Sequence, residues 1–526
     1  MFSPELAIGQ RPTTVRDWVA ERAVQIPERV ALVADGKAWT YSELDARVSR
    51  LARQLAALGA RPGDRIATLL HNGTAAATLP HAALRLGATI VPLNVRLTAA
   101  EIAWQLHDAA PRVLIVEPRT VDRALTARDE NPSLAVATIE GEVVHRLGGL
   151  DPIDLEESDV QLRLVHPVDS VLAVIYTSGT TGRPKGAMLT VGNFWYSAIG
   201  SALNLGTRDD DRWLAVLPLF HVGGLSIIIR SAIYGITAIV HDGFAPDNVN
   251  AAIDDDRTTL VSVVAVTLER LLDSRGAKPF PKTLRVVLLG GGPAPRPLLE
   301  RCVSSGIPVA QTYGLTETTS QVATLLPRDA VRKLGSAGRV LHPNELQIDP
   351  SHGAGVAHAE GEILVRGPIV MTGYLNRPDL TATTITDGWL RTGDIGTLDA
   401  DGYLYVLDRR DDLIVTGGEN VYPAEVETVL LSHPGVIEAA VIGVDDAQWG
   451  QRVVAIARLT DDAEANELTL RSFCRERLAS YKVPKEIRFV TDPLPRTASE
   501  KLQRGALRAS EESRKHNRQQ QTIDTD

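Results

Sequence analysis

The sequence holds only two cysteines, Cys302 and Cys474, in 526 residues. They stand far apart, without the Cys/His spacing of a structural zinc site, and are too few for a disulfide scaffold, so a reducing cytoplasmic setting is expected. There is no apolar run approaching the roughly 18 residues of a membrane-spanning helix. The opening MFSPELAIGQ lacks the basic and apolar regions of a secretory signal, so neither secretion nor membrane spanning is expected. Positive charge is also in deficit, with 55 Lys and Arg against 65 Asp and Glu and a formal net charge of −10. A chain so charged has no general attraction for nucleic acid or anionic lipid, and any phosphate ligand must be held by a specific site. No internal repeat of fixed period is present.

What is there is a long, mixed chain. At 526 residues and 44% hydrophobic composition, it exceeds the roughly 250–300 residues at which a single core stops growing, which predicts more than one domain. Short apolar runs at Arg65 to Leu70, Thr89 to Leu93, Val113 to Val116 and Val171 to Thr177 alternate with amphipathic helical segments, the grammar of an α/β fold. Between Val113 and Val165 the pattern weakens into a polar stretch read as a connection with short strands. From Thr283, TLRVVLLGGG reads as a buried strand running into glycines, followed by a helix over Pro297 to Ser304. Residues 361 to 407 are β-rich around a turn-forming TDGWLRTGD, which predicts a smaller β subdomain.

A boundary is expected at Asp408 to Asp412. Beyond it, a helix at Pro423 to Ser432, strands at Ile437 to Val444 and Gln451 to Leu459, and a helix at Thr469 to Leu478 make a compact α+β domain. The resulting division is an N-terminal domain over 1–407, a polar linker over 408–412, a C-terminal domain over 413–508 and a polar tail over 509–526 expected to be disordered.

The most informative stretch is IYTSGTTGRPKG, Ile175 to Gly186. A strand ends there in Thr177, Ser178, Thr180 and Thr181, whose hydroxyls can donate. Gly179, Gly182 and Gly186 let the backbone approach oxygens closely, and Lys185 adds a point charge. Such a loop suits a polyphosphate. It is not a Walker A loop, because Gly182 is followed by Arg183 and Pro184.

Other motifs follow in order: LPLFHVGG at Leu217 to Gly224, GGGPAP at Gly290 to Pro295, QTYGLTE at Gln311 to Glu317, TGD at Thr392 to Asp394, DRRDDLIVTGGENVYPAEVE at Asp408 to Glu427, and PRTASEK at Pro495 to Lys501. Together they resemble the acyl-adenylate-forming (AMP-binding) superfamily, in its acyl-CoA synthetase branch. The likeness runs from about residue 12 to 508.

The resemblance implies an AMP-forming ligase that uses ATP, Mg2+ and coenzyme A. By position, Glu317 resembles the family's magnesium-binding glutamate and Thr316 its phosphate contact. Tyr313, with Gly314 beside it, and Gly290, Gly291 and Gly292 would frame the adenine. Asp394 resembles the aspartate that grips the ribose hydroxyls, and Arg409 the arginine that assists it; standing alone, Asp394 would read as a turn residue. Lys501 resembles the catalytic lysine that offsets charge between carboxylate and α-phosphate. Here Glu500 stands where the family has glycine. Asp411 falls on the hinge position, and Gly417, Gly418, Glu419 and Asn420 on a turn that lines the pantetheine tunnel. His221 resembles the gate at the inner end of that tunnel; a core histidine bonded to backbone is the alternative.

LPLFHVGGLSIIIR has no carboxylate to pair with a substrate ammonium, which counts against amino-acid activation. LLGGGPAPRPLLE, PVAQTYGLTETTSQ, KLGSAGRVLHPNELQI and RRDDLIVTGGENVYPAEVE are most similar to the o-succinylbenzoate–CoA ligases of menaquinone biosynthesis. Their substrate carries an aryl carboxylate besides the aliphatic one that is activated, so donors are expected near the acyl side, with Ser226, Thr318, Ser320 and Gln321 as candidates. A medium-chain or aryl acyl-CoA ligase, a stand-alone carrier-protein-loading domain and a nucleotide sensor remain open. A small-molecule acid, ATP and CoA are the expected partners, and a monomer and a homodimer are both compatible with the sequence.

Overall fold

A computed structural model describes residues 13–511 except 129–133, 141–142, 149–150, 155–156, 178–183, 293, 350–359, 410–411, 413, 417–418, 422, 447–448, 461, 463, 479 and 497–501. Two nine-stranded sheets dominate it. The centre of the first is parallel and runs Val171–Thr177, Thr89–Pro92, Arg65–Leu69, Val113–Val116, Ala135–Glu140. The parallel part of the second runs Val309–Tyr313, Val286–Leu289, Leu260–Val263, Arg212–Ala215, Thr237–Val240, Val30–Ala34.

Period-two alternation sorts each strand between two cores. Trp213 and Ala215 enter the core shared by both sheets, whereas Leu214 and Val216 pack outward against the helices Pro246–Asp254 and Ala265–Arg275. Ile66 and Ile90 likewise face the shared core, and Ala67, Leu69 and Val91 face the helix Ala99–Ala109. The sheets thus share a layer of helices that includes Tyr41–Ala57, Thr74–Leu86 and Val222–Tyr234. Local capping boxes set the starts of Tyr41–Ala57 (Thr40 with Glu43), Ala99–Ala109 (Thr98 with Glu101) and Val191–Leu205 (Thr190 with Asn193).

The polar region after Val113 supplies the helix Val121–Arg128 and the strands Ala135–Glu140, Val143–Gly148 and Asp151–Asp154, which extend the first sheet at its edge. A five-stranded antiparallel sheet follows, with Trp389–Leu398 at its centre. TDGWLRTGD turns only at Asp387 and Gly388, both at positive φ; the rest is strand, because Gly361–Arg366 and Leu404–Arg409 pair with it on either side.

Ile414–Thr416 joins a separate five-stranded sheet with Glu419–Val421, Gly450–Leu459, Val436–Asp446 and Glu486–Phe489, covered by the helices Pro423–Leu431 and Glu467–Arg475. The second helix starts two residues earlier than the sequence pattern indicates because Asn466 caps it, accepting from Thr469 N at 3.0 Å. Among the described residues no helix is long and apolar enough to cross a membrane.

A buried charge cluster ties Asp17 to the helix Thr74–Leu86 and the strand Val165–Pro167. Asp17 accepts from Arg85 Nη2 at 2.8 Å and from Ala20 N at 2.9 Å, and His166 Nε2 lies 3.2 Å from its other oxygen. Burial opposes ionisation of Asp17, but hydrogen bonds from His166 and Arg85 hold its carboxyl well below the usual range. Nearby His81, 2% exposed, is pushed by burial from 6.5 to about 4, with Asp17, Arg85 and His166 as its titratable neighbours. Native His81 therefore stays neutral while the unfolded chain takes up a proton between pH 6.5 and 4. Stability from this group is full above pH 6.5 and is lost as pH falls towards 4, a loss on the order of 3 kcal/mol. His81→Leu is expected to flatten the fall in Tm across that window, as read by thermal melts at stepped pH.

Candidate active site

The strands Val171–Thr177 and Lys185–Thr190 pair antiparallel, with Thr177 opposite Lys185 and Tyr176 opposite Gly186, and so bring both ends of the phosphate-loop candidate to one place. Ser178, Gly179, Thr180, Thr181 and Gly182 lie outside the described residues. Thr177 Oγ1 stands 3.5 Å from Lys185 O, too far for a strong bond. Gly186 serves packing rather than phosphate approach: a Cβ there would sit 2.7 Å from Val174 Cγ1.

Glu317 lies on the single turn Thr316–Thr318. Its carbonyl accepts from Met371 N at 2.8 Å, and its Oε1 accepts from Tyr374 Oη at 2.8 Å. Lys185 Nζ rests 5.6 Å from the centre of the same Tyr374 ring. Thr316, Glu317, Lys185 and Tyr374 therefore form one cluster at the mouth of the loop. Among the described residues no group of three His, Cys, Asp or Glu could hold a metal. One half-buried carboxylate beside a phosphate loop does fit Mg2+, which keeps waters and takes its remaining oxygens from nucleotide phosphates.

Among the candidates for the adenosine, Tyr313 Oη donates to Asp394 Oδ2 at 2.8 Å, with Asp394 only 5% exposed. That bond joins the last parallel strand of the second sheet to the β subdomain. Asp394 stands opposite Arg409 in the strand register. Gly290 follows the strand Val286–Leu289, and a Cβ on it would meet Thr312 Cγ2 at 2.8 Å. Gly291 takes φ +83°, and a Cβ on Gly292 would point into open space, so a flat ligand can lie against this backbone. Gly314 is forced by packing, since its Cβ would fall 1.4 Å from Ser320 O. The segment that folds back there holds Thr319 and Ser320 at positive φ, a strained arrangement of the kind kept at ligand sites.

His221 caps the helix Val222–Tyr234 through its backbone, is half-buried, and meets Phe220 edge-on at 4.6 Å. Of the acyl-side candidates, Thr318 is already committed: its hydroxyl accepts from Leu315 N at 2.9 Å and donates to Leu315 O at 3.1 Å. Ser320 is half-buried. Ser226 and Gln321 are each 1% exposed, and the Ser226 hydroxyl and both amide atoms of Gln321 have no hydrogen-bond partner among the described residues.

Next to them stands a residue that the motifs do not mark. Arg230, one turn beyond Ser226 on the same helix, is 2% exposed and has no carboxylate partner among the described residues. Its Nη2 donates to Ser197 Oγ at 2.9 Å, which donates in turn to Thr319 O at 2.8 Å, two residues from both Glu317 and Gln321. The guanidinium lies 5.9 Å from the Trp213 ring, and burial pulls its pKa below the ordinary arginine value. A cation so placed can take an anion as its partner. The available signal was an arginine inside the apolar run LSIIIRSAIY, four residues after Ser226.

In the C-terminal part, Glu419 and Asn420 pair with Thr416 and Val415. Gly417, Gly418, Asp411 and Lys501 lie outside the described residues. Arg496 bridges Leu502 across the segment that carries Lys501, and Gln503 N donates to Pro495 O at 2.9 Å. Asp412, beside the hinge position, accepts from Arg504 and Arg508 at 3.1 and 3.0 Å.

Comparison with known proteins agrees with this layout. The model described as "AMP-binding enzyme" matches residues 19–375, and "AMP-binding enzyme C-terminal domain" matches 425–501. A 2-succinylbenzoate–CoA ligase of Geobacillus kaustophilus is 48% identical over 496 residues, 94% of this chain and 98% of that protein. The Bacillus subtilis o-succinylbenzoate CoA synthetase (MenE) in complex with the acyl-adenylate intermediate OSB-AMP superposes with a TM-score of 0.85 at 42% identity, covering 94% of this chain and 98% of that one. The same Bacillus protein with ATP and magnesium ion gives 0.85 at 41%, covering 94% and 99%. With similarity of this depth along nearly its whole length, the chain belongs to the AMP-binding enzyme family.

Proposed function

We propose that this chain is an AMP-forming acid–thiol ligase that converts o-succinylbenzoate to o-succinylbenzoyl-CoA. The observation that carries the substrate is Arg230: a buried guanidinium with no acidic partner among the described residues is costly unless the ligand supplies the charge. A medium-chain acid would leave it uncompensated. The second, aryl carboxylate of o-succinylbenzoate would pair with it, and Ser226 and Gln321 have donors to spare. The names of the similar ligases and the bound OSB-AMP of the Bacillus enzyme support the same reading.

In the proposed chemistry, the aliphatic carboxylate attacks the α-phosphate of ATP and pyrophosphate leaves. Lys185, Thr177 and the loop 178–182 hold the phosphates, Glu317 holds magnesium with Thr316 alongside, and Lys501 offsets the charge that builds between carboxylate and phosphate. Magnesium, when bound, neutralises phosphate charge. Tyr313 and Gly290 to Gly292 frame the base, while Asp394 and Arg409 hold the ribose. The CoA thiol then attacks the acyl carbonyl and AMP leaves, after a rotation at Asp411 brings residues 417–420 to the site in place of Lys501. His221 gates the thiol's approach. We place the reaction in the cytoplasm, where both cysteines stay reduced.

Two assays on the purified chain test this. Pyrophosphate exchange should depend on o-succinylbenzoate, and the thioester of that acid should form only when CoA is added. Exchange without thioester would make the protein a carrier-loading domain, and absence of both would make it a sensor.

A further inference from the structure

No motif marks Tyr374, yet it joins two residues on which the proposed chemistry depends. It ends the short strand Gly373–Tyr374, which pairs with the outgoing strand of the phosphate loop through Ala187 and Met188. Its backbone is fixed on all sides: Tyr374 N donates to Thr381 Oγ1 at 2.9 Å, and Leu375 N to Gly186 O at 2.8 Å. Gly373 has φ +148° and would carry a Cβ 2.6 Å from Thr381 Cγ2, so the strand fits there only as glycine. Tyr374 itself is 7% exposed, and from this rigid mount its hydroxyl reaches Glu317 while its ring face meets Lys185.

We infer that Tyr374 is a positioning residue for the metal of the nucleotide. Its hydroxyl fixes the Glu317 carboxylate so that Oε2 is presented to Mg2+, and its ring holds the Lys185 ammonium beside the loop until a polyphosphate takes it. Among the described residues no group of further ligands stands beside Glu317 to orient it, so its orientation comes from an outer partner. The partner's chemistry matters. A lysine on Glu317 would compete with the metal for the same oxygens, whereas a neutral phenol leaves the full negative charge on the carboxylate. Accordingly Lys185 sits on the ring, within the roughly 6 Å range of a cation–π contact, and no ion pair joins it to Glu317 among the described residues. The inference rests on Glu317 and Lys185 being Mg-ATP ligands.

The test is ATP binding to the full chain by calorimetry, without acid and so without turnover, in the presence and absence of magnesium. Parent, Tyr374→Phe, Glu317→Gln and the double variant are compared. Phenylalanine keeps the ring under Lys185, so any loss reports on the hydroxyl. Tyr374→Phe is expected to cut the magnesium-dependent gain in affinity by about tenfold, with metal-free binding unchanged, and the double variant should lose no more than Glu317→Gln alone. An intact gain in Tyr374→Phe beside a lost one in Glu317→Gln, or losses that add in the double variant, would overturn the role of Tyr374. An intact gain in Glu317→Gln would instead overturn the metal-site reading beneath it.

Discussion

Lys501→Ala slows adenylation by about 10²–10³-fold, the loss expected when one preorganised electrostatic contact is removed, and leaves thioester formation from pre-made acyl-adenylate near the parent rate. The two half-reactions separate because charge builds between carboxylate and α-phosphate only in the first. Glu500 stands directly before Lys501 and offers a competing partner. On either side of this segment, Arg496 bridges Leu502, and the Arg504 guanidinium is held by Glu427 and Asp412. Rates of both half-reactions on one purified variant decide the matter. Adenylation at the parent rate would remove Lys501 from the chemistry, and equal loss of both would mark a folding defect.

Arg230→Leu is expected to lower kcat/KM for o-succinylbenzoate by about 10²–10³-fold, the cost of leaving a buried charge without its partner. Activity on 3-benzoylpropionate, the same acid without its aryl carboxylate, should hold or rise. Arg230→Lys should recover only part of the loss, because an ammonium cannot make the two-pronged contact of a guanidinium. Stability provides the control. Removing a buried cation that has no carboxylate partner among the described residues relieves a desolvation cost, so the Tm of Arg230→Leu should not fall. A lower Tm with equal losses on both acids would make Arg230 a structural residue of the helix Val222–Tyr234.

What could be read from the sequence was whatever local pattern fixes. Val171–Thr177 and Val113–Val116 coincide with their apolar runs because buried parallel strands need continuous apolar side chains. The Asp387–Gly388 turn was legible as a turn, but the strand beginning at Trp389 was not, because its pairing comes from partners at Gly361–Arg366 and Leu404–Arg409. The motifs singled out Tyr313, Glu317 and Asp394; the bonds that tie them to Asp394, Tyr374 and Tyr313 are products of tertiary packing. Arg230 stayed hidden for a related reason. An arginine in an apolar helix ordinarily carries its charge out to water, and only the depth of the helix between two sheets shows that this one does not. Thr318 erred the other way: motif proximity pointed to the substrate, and the local turn claims its hydroxyl.

The most direct measurement is the ratio of kcat/KM for CoA-thioester formation from o-succinylbenzoate and from 3-benzoylpropionate, taken on the parent enzyme with saturating ATP, magnesium and CoA. The two acids share the carboxylate that is activated and the ketone that joins its chain to the ring, and differ only in the group proposed to meet Arg230. A site built for a charged group rejects the analogue that lacks it, so the ratio should be at least about 10² in favour of o-succinylbenzoate. A ratio near one would contradict the account and make the chain a ligase for simple aryl or aliphatic acids, with Arg230 serving the fold.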